Sequence, residues 1–262
     1  MTAPHQPFIR LRNVRKVYRS QGKEFLAVSD VTMDVQEGEL ISLVGPSGCG
    51  KTTVVKILAG LHDADGGTVQ IGNARTPFDP ARDIGMVFQQ PLLLKWRTIL
   101  DNVLLPAEIV GLPIKAARTR ARELLHLVGL AGHEDKYPQQ LSGGMQQRTA
   151  IARAFIHDPK LILMDEPFGA LDALTREQMN LEMLRIWRES GKTIIFVTHS
   201  IQEAVFLASH CAVLTSGPAR MAEYFPIDLP FPRALPIKTT DEFGVYARRI
   251  YDSLGLGSGA PG

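Results

Sequence analysis

Cysteine is scarce in this chain, and other features that mark particular protein classes are missing. The 262 residues include two cysteines, Cys49 and Cys211, too few for a disulfide framework, and this fits a reducing compartment. No window approaches about eighteen apolar residues without charge, and the opening MTAPHQPF lacks a basic region followed by an apolar core. We therefore expect neither secretion nor a membrane span, and we expect a cytosolic chain.

The charged residues do not indicate a particular partner. Lysine and arginine number 29 against 27 aspartate and glutamate residues, which leaves a net charge of +2. This balance lacks the clustered basic excess of a nucleic-acid footprint. With 45% hydrophobic residues, the chain can bury a substantial core and is long enough for one large domain or two small ones.

Two kinds of strand pattern occur along the chain. Residues 8–35 alternate polar and apolar side chains with a break at SQGKE, which predicts antiparallel strands. Later, short apolar runs typical of buried parallel strands are separated in several places by helical stretches. These runs are ELISLVG (39–45), DIGMVF (83–88), KLILMD (160–165), TIIFVT (193–198) and CAVLTS (211–216). We expect an α/β fold with a mostly parallel sheet and an N-terminal antiparallel β subdomain.

The strand pattern disappears between Pro91 and Gln140. Two stretches there, TILDNVLLPAEIV and PIKAARTRARELLHLVGL, have helical spacing of their apolar residues. We therefore expect an α-helical subdomain inserted in the sheet core at about residues 91–150.

The two ends of the chain have a different composition. From Gly217 the sequence is rich in proline, and EFGVYARRIYDSL then has helical spacing before the glycine-rich GLGSGAPG. We expect a C-terminal extension over residues 217–262 with one helix and a flexible end, and we expect residues 1–7 to be disordered.

The segment GPSGCGKTT lies between a predicted strand and a predicted helix and has the spacing of a phosphate-binding loop. Its glycines let backbone N–H groups converge on phosphates, and the helix start adds its dipole. Lys51 would supply a cation for the β- and γ-phosphates, and Thr52 would place its hydroxyl on Mg²⁺. We expect nucleotide contacts from Gly45, Pro46, Ser47, Gly48, Cys49, Gly50, Lys51, Thr52 and Thr53.

This loop predicts a nucleoside triphosphate site but does not identify the reaction. Kinases, GTPases and transport ATPases all bind nucleotides through such a loop. The asparagine-lysine-x-aspartate stretch that reads guanine does not occur in the sequence, which disfavours a GTPase.

Polar groups follow three of the predicted buried strands. Asp165 and Glu166 end the run LILMDE, His199 ends TIIFVTH, and Gln89 closely follows DIGMVF. The carboxyl ends of parallel strands are where α/β proteins place their ligand sites. Neighbouring residues on a strand point to opposite faces, so the two carboxylates must leave the regular strand to serve one site. Asp165 would then face Mg²⁺ and Glu166 an attacking water, as general base.

With these motifs in order, the chain resembles the ATP-binding subunit of an ABC transporter over about residues 8–216. The matching motifs are the phosphate loop (Gly45–Thr52), the glutamine loop (Gln89), the signature (Leu141–Gln147), the second acidic motif (Leu161–Glu166), the aspartate loop ending at Asp172 and the histidine switch (His199). The resemblance implies a P-loop NTPase core that hydrolyses ATP with Mg²⁺.

The resemblance also implies roles for single residues. Thr52, Gln89 and Asp165 would hold Mg²⁺, Gln89 would also hold the water, Glu166 would polarise that water, and His199 would contact the γ-phosphate. Tyr18 falls where family members stack an aromatic ring on adenine, although a tyrosine in a strand, taken by itself, more often has a structural role. The signature residues Ser142, Gly143 and Gly144, and the aspartate-loop residue Asp172, would contact ATP across a head-to-tail dimer of two ATPase subunits.

Three segments resemble the nitrate/sulfonate/taurine import branch of the family. They are LSGGMQQR, in which Met145 replaces the usual glutamine, VFQQPLLLKWRTILDNV, and LPFPR in the C-terminal region. The implied partners are integral-membrane permease subunits and, indirectly, an external solute-binding protein, with no nucleic acid. The implied location is peripheral, at the cytoplasmic face of the inner (plasma) membrane. The alternative is a soluble ABC ATPase of nucleic-acid maintenance or translation, which usually has long coiled coils or two ATPase halves.

The permease contact would lie directly after the glutamine loop. Leu92, Leu93, Leu94 and Trp96 are the apolar residues of this segment. Each of them is equally compatible with burial in the helical subdomain's own core.

Overall fold

A computed structural model describes residues 6–20, 22–73 and 76–256, and these residues form nine strands and eight α-helices. The strands are β1 (Ile9–Ser20), β2 (Lys23–Val35), β3 (Leu40–Val44), β4 (Gly66–Ile71), β5 (Ile84–Val87), β6 (Leu161–Asp165), β7 (Thr193–Thr198), β8 (His210–Leu214) and β9 (Ala219–Pro226). The helices are α1 (Lys51–Leu58), α2 (Pro80–Asp83), α3 (Ile99–Ile109), α4 (Ile114–Leu127), α5 (Gly143–Phe155), α6 (Ala173–Ser190), α7 (Ile201–Leu207) and α8 (Asp241–Ser253).

The chain divides into two compact units. The first unit comprises residues 1–78 and 193–262, and the second comprises residues 79–192. Most of the segment predicted to be disordered, and the end of the chain from residue 257, lie outside the described residues. The predicted limits of an ATPase domain at 8–216 and of its helical insertion stay predictions.

The first unit contains seven strands in the order β4-β1-β2-β9-β8-β3-β7. β1 pairs antiparallel with β2 and with β4, which gives the antiparallel N-terminal part that residues 8–35 predict. β3 pairs in parallel with both β7 and β8. Every residue of β3 and β7 is buried, as expected for strands covered on both faces.

The second unit combines a parallel strand pair with packed helices. β5 pairs in parallel with β6, and α3, α4 and α5 pack on one another. The apolar face of α4 that the spacing predicts contributes Ala121 and Leu125 to this core, and Val103 and Ile151 come from the neighbouring helices.

Two strands do not follow from the sequence patterns. β4 reads GGTVQI and β9 reads ARMAEYFP, and neither has a continuous apolar run or strict alternation. β9 nevertheless pairs antiparallel with β8 and in parallel with β2. The first unit's sheet therefore continues beyond Gly217, into the region whose proline content suggested an extension.

A buried asparagine fixes the loop that precedes α3. The side chain of Asn102 is fully buried, and its Nδ2 donates to the backbone oxygens of Leu94, Arg97 and Thr98 at 2.8 to 3.1 Å. Its Oδ1 accepts from the backbone N–H of Leu94 at 2.7 Å. One side chain thus satisfies four polar groups of an irregular segment, as buried backbone requires.

Replacing Asn102 by leucine should destabilise the protein by about 2 to 3 kcal/mol, because four hydrogen bonds would be lost, and with them the partner that Asn102 gives to the Leu94 N–H and the Arg97 oxygen. Urea denaturation, monitored by a spectroscopic signal that reports on the second unit, measures the shift in the unfolding midpoint. Gln178→Leu, at an exposed position of α6, is the control and should change the midpoint little. Equal midpoints for both variants would contradict the structural role of Asn102.

Candidate functional site

The phosphate-binding loop joins β3 to α1 in the first unit, and close backbone approaches explain its glycines. A Cβ atom on Gly45 would lie 2.6 Å from the backbone oxygen of Leu214. Gly50 has φ of 117°, and a Cβ atom there would lie 2.7 Å from the backbone oxygen of Ala27. Only glycine fits at either position, so the sequence of the loop is set by its backbone path.

Lys51 is the first residue of α1 and lies against the loop. Its side chain is 4% exposed, and Nζ donates to the backbone oxygens of Gly45 at 2.9 Å and of Pro46 at 3.0 Å. The first turn of α1 has no acidic residue to neutralise the helix dipole. A cation, backbone N–H groups and a helix start therefore meet at one loop, and this arrangement fits the phosphates of a nucleotide.

His199 leaves the same edge of the first unit's sheet as this loop. Val44, the last residue of β3, pairs with Thr198, the last residue of β7. Gly45 and His199 follow these two residues, and the His199 side chain is exposed. The structure thus places the predicted histidine switch at the strand end next to the phosphate-binding loop.

Tyr18 also contacts the phosphate-binding segment. Its hydroxyl donates to Oγ1 of Thr53 at 3.4 Å, and its ring lies edge-on to His62 with centroids 5.6 Å apart. The ring is half-buried. Stacking on adenine stays a prediction, but the tyrosine lies beside the segment that would hold the phosphates.

The acidic motif and the glutamine loop occupy one sheet edge of the second unit. Val87 of β5 pairs with Met164 of β6, so Gln89 and Asp165 emerge from neighbouring strand ends. Glu166 has φ of 47°, in the left-handed region that costs a non-glycine residue about 1 kcal/mol or more. The backbone therefore turns sharply at the second of the two carboxylates. Such a turn is required if both carboxylates are to face the same site.

Gln89 lies beside the turn that follows the acidic motif. A Cβ atom on Gly169 would be 3.2 Å from Nε2 of Gln89 and 3.4 Å from the backbone oxygen of Glu166. The glutamine side chain and this turn are thus packed together, and a larger side chain at Gly169 would displace one of them.

The signature motif begins a helix in the second unit. Ser142 is the N-cap of α5, and its Oγ accepts from the backbone N–H of Met145 at 3.4 Å. Ser142 and Gly143 are exposed, whereas a Cβ atom on Gly144 would lie 2.9 Å from Cγ2 of Thr175. A hydroxyl and the N–H groups of a helix start are accessible at this position. They suit an anion whose negative charge is already balanced by a cation bound elsewhere.

Asp172 has a local structural role. It is the N-cap of α6, and its Oδ1 accepts from the backbone N–H of Thr175 at 3.0 Å. The hydroxyl and the backbone N–H of Thr175 hold the pKa of the Asp172 carboxyl below its usual range. Its contact with nucleotide stays a prediction.

The family model for ABC transporters matches residues 28–169 of the chain. The chain belongs to the ABC transporter ATP-binding family. It is 44% identical to an ABC transporter ATP-binding protein of Methanocaldococcus jannaschii, over 94% of this chain and 91% of that protein. It is also 46% identical to the taurine import ATP-binding protein TauB of Yersinia pseudotuberculosis, over 78% of each chain.

Solved structures of ABC cassettes share the fold. One is a dimeric, post-hydrolysis cassette bound to ADP and phosphate, 33% identical with a TM-score of 0.73, and the match covers 85% of this chain and all of that one. Another, cbiO1 of Clostridium perfringens, has a TM-score of 0.75 over 95% of each chain at 22% identity, and supports the fold alone. The predicted α/β P-loop fold and ATPase class are therefore confirmed.

The part of this ABC ATPase that the structure describes contains neither a membrane-spanning helix nor a cluster of metal-binding side chains. None of the helices in the described ranges has both the length and the apolar character needed to cross a membrane. Within those same ranges, no three His, Cys, Asp or Glu side chains are grouped as ligands for one metal ion.

Sequence reasoning missed two side chains of this ABC ATPase that hold the glutamine loop. Gln147 is buried in α5 and donates from Nε2 to the backbone oxygen of Phe88 at 3.1 Å. Arg153, further along α5, donates to the backbone oxygens of Pro91 and Leu92 at 2.7 and 2.8 Å. Polar residues at buried or half-buried positions of a helix were the available signal, but the partners lie about sixty residues away in the chain.

Cys49 lies inside the phosphate-binding loop and is 2% exposed. We expect slow alkylation by a thiol reagent without nucleotide and, at MgATP about 100 times its Kd, labelling slowed about a hundredfold, because only nucleotide-free loops would react. Mass spectrometry of the labelled peptide measures both rates.

Cys211 provides an internal control for this labelling. Burial raises the pKa of its thiol to about 12, so it should stay unlabelled until the protein unfolds. Identical Cys49 rates with and without MgATP would exclude nucleotide from this loop.

Proposed function

We propose that the chain is the ATP-hydrolysing subunit of an importer that moves a small solute of the nitrate, sulfonate or taurine kind through a separate permease. The observation that carries the proposal is the position of the predicted catalytic residues, which lie at strand ends and helix starts of each unit. Similarity to taurine import ATP-binding proteins over about four fifths of the chain supports the import branch. These relatives do not favour the alternative of a soluble nucleic-acid ATPase.

The phosphate-binding loop would bind ATP through Lys51, whose ammonium group would exchange its hydrogen-bond acceptors. Its ammonium group donates to two loop carbonyls, and phosphate oxygens would replace those carbonyls as acceptors. A close pair of unit charges is worth about 4 kcal/mol at a surface-like dielectric, more than a single hydrogen bond from the ammonium group to a carbonyl, at about 1.5 to 3 kcal/mol. The exposed hydroxyl of Thr52, with Gln89 and Asp165, would hold Mg²⁺, which neutralises phosphate charge during hydrolysis.

Glu166 would act as the general base for the attacking water. The left-handed turn at this residue breaks the alternation of β6, so its carboxylate need not point away from the side that Asp165 serves. His199 would donate a hydrogen bond to the γ-phosphate from its exposed position after β7. The products would be ADP and inorganic phosphate, with the water proton passing first to Glu166.

A second copy of the chain would complete each site with its signature loop. Ser142 and Gly143 are exposed at the start of α5, as contact with a partner-bound phosphate requires. A similar cassette is dimeric in complex with ADP and phosphate. ATP would therefore join two subunits head to tail, and hydrolysis would loosen the pair and transmit that opening to the permease.

The permease contact would use the apolar segment after the glutamine loop. The side chains of Leu92 and Trp96 are 55% and 75% exposed, whereas Leu93 and Leu94 are half-buried. Exposure therefore favours permease docking for Leu92 and Trp96, and burial in the helical subdomain's own core for Leu93 and Leu94. The ATPase would bind peripherally at the cytoplasmic face of the membrane, with an external solute-binding protein as an indirect partner.

Glu166→Gln should preserve ATP binding and lower hydrolysis by about a hundredfold or more, because the amide cannot accept the water proton. ATP should then trap a stable dimer, detectable by light scattering. Glu123→Gln, at an exposed position of α4, is the matched control and should hydrolyse ATP normally. Normal turnover in the Glu166 variant would rule that residue out as the base.

Mixing two inactive variants tests the head-to-tail arrangement. Ser142→Arg should bind ATP without turnover, and Lys51→Ala should not bind ATP productively. In an equimolar mixture, half of the dimers are mixed and each has one intact site, so about a quarter of all sites should recover. Steady-state ATPase assays measure this recovery, and a mixture as inactive as its components would contradict sites shared between subunits.

A further inference from the structure

Arg233 is a buried cation that binds the end of a helix in the first unit. Its side chain is 3% exposed, and Nη1 donates to the backbone oxygens of Val205, Phe206 and Ala208 at 2.8, 3.1 and 2.9 Å. These residues form the C-terminal end of α7 and its C-cap. The last carbonyls of a helix lack partners within it, and α7 has no basic residue of its own in its last turn.

The same guanidinium also fixes the segment that carries it. Nη2 donates to the backbone oxygens of Ile227 and Leu229 at 3.1 Å each, and the ring of Phe231 lies 3.9 Å from the guanidinium carbon. Five carbonyls and one ring face thus surround a charge that is nearly removed from water. Such burial is costly unless the geometry is satisfied, and a lysine could not reach all these carbonyls at once.

Hydrogen bonds at the N-terminal end of α7 fix the backbone on both sides of His199. Thr198 Oγ1 donates to Oε2 of the buried Glu203 at 2.5 Å and accepts from the backbone N–H of Ser200 at 2.9 Å. Ser200 is the N-cap of α7, and its Oγ accepts from the backbone N–H of Glu203 at 3.3 Å. The position of the first turn of α7 therefore determines where His199 lies.

We propose that Arg233 is a positioning residue for His199, acting through α7. The helix has only seven residues, with the hydrogen-bonded His199 turn at one end and Arg233 at the other. Loss of Arg233 would free its C-terminal end, and a seven-residue helix transmits such a displacement along its whole length. The inference rests on the γ-phosphate role proposed for His199, and it assigns the region after Gly217 a part in ATP hydrolysis.

The test compares Arg233→Leu with Arg233→Lys in the purified full-length protein. We expect the leucine variant to lower kcat for ATP about tenfold or more, with KM changed less than about twofold, because small displacements of catalytic groups affect the reacting state most. The lysine variant should show a smaller loss and remains informative if the leucine variant fails to fold. Lys238→Met, which removes an ammonium group 4.6 Å above the ring of Phe206, is the control and should keep kcat.

A double-mutant cycle with His199→Ala separates positioning from mere stabilisation. If Arg233 acts through His199, its substitution should not lower kcat further once the imidazole is absent. The same fractional loss in both backgrounds, or a lower melting temperature with normal kcat per folded molecule, would overturn the inference alone. Normal turnover in His199→Ala would instead refute the role proposed for His199, and the inference with it.

Discussion

Parallel pairing aligns the carboxyl ends of short strands whose side chains are buried, and in each unit the placement of the predicted site residues depends on this alignment. In the first unit it places Gly45 beside His199, and in the second it places Gln89 beside Asp165. Apolar strands covered on both faces have no room for charged groups, so polar residues appear where the strands end. The sheet edge thus becomes polar because the strand interiors are not.

The phosphate-binding loop and the signature loop, which the proposed function assigns to the same phosphates, differ in their residues. The phosphate-binding loop has Lys51, a buried cation that already donates to carbonyls of that loop. The signature loop has the hydroxyl of Ser142 and exposed helix N–H groups but no cation of its own. Under the proposed function the second loop needs none, because the Lys51 of the facing subunit supplies the charge. Its lack of lysine then favours binding to a nucleotide that is already held.

Local patterns predicted the elements whose own residues carry the signal, as a continuous apolar run or as glycines at fixed spacing. The apolar runs of β3 and β7 and the loop GPSGCGKTT follow from residue type and spacing, and the structure has them at those positions. β9 escaped prediction because its pairing with β8 and β2, rather than its own alternation, makes it a strand. Gln147 and Arg233 escaped for a related reason, since the carbonyls they bind come close only in the folded chain.

The helix α5 links the signature loop to the glutamine loop within one unit. Ser142, the N-cap of α5, is exposed. Further along the helix, Gln147 donates to the carbonyl of Phe88 and Arg153 to that of Leu92. A shift of this loop therefore moves α5 or breaks these hydrogen bonds, including the one donated by the buried Gln147 side chain. If the permease binds at Leu92 and Trp96, its displacement reaches Ser142 through α5 without any unfolding. The hydrogen bonds between α5 and the glutamine loop would then be the means by which transport and nucleotide closure affect each other.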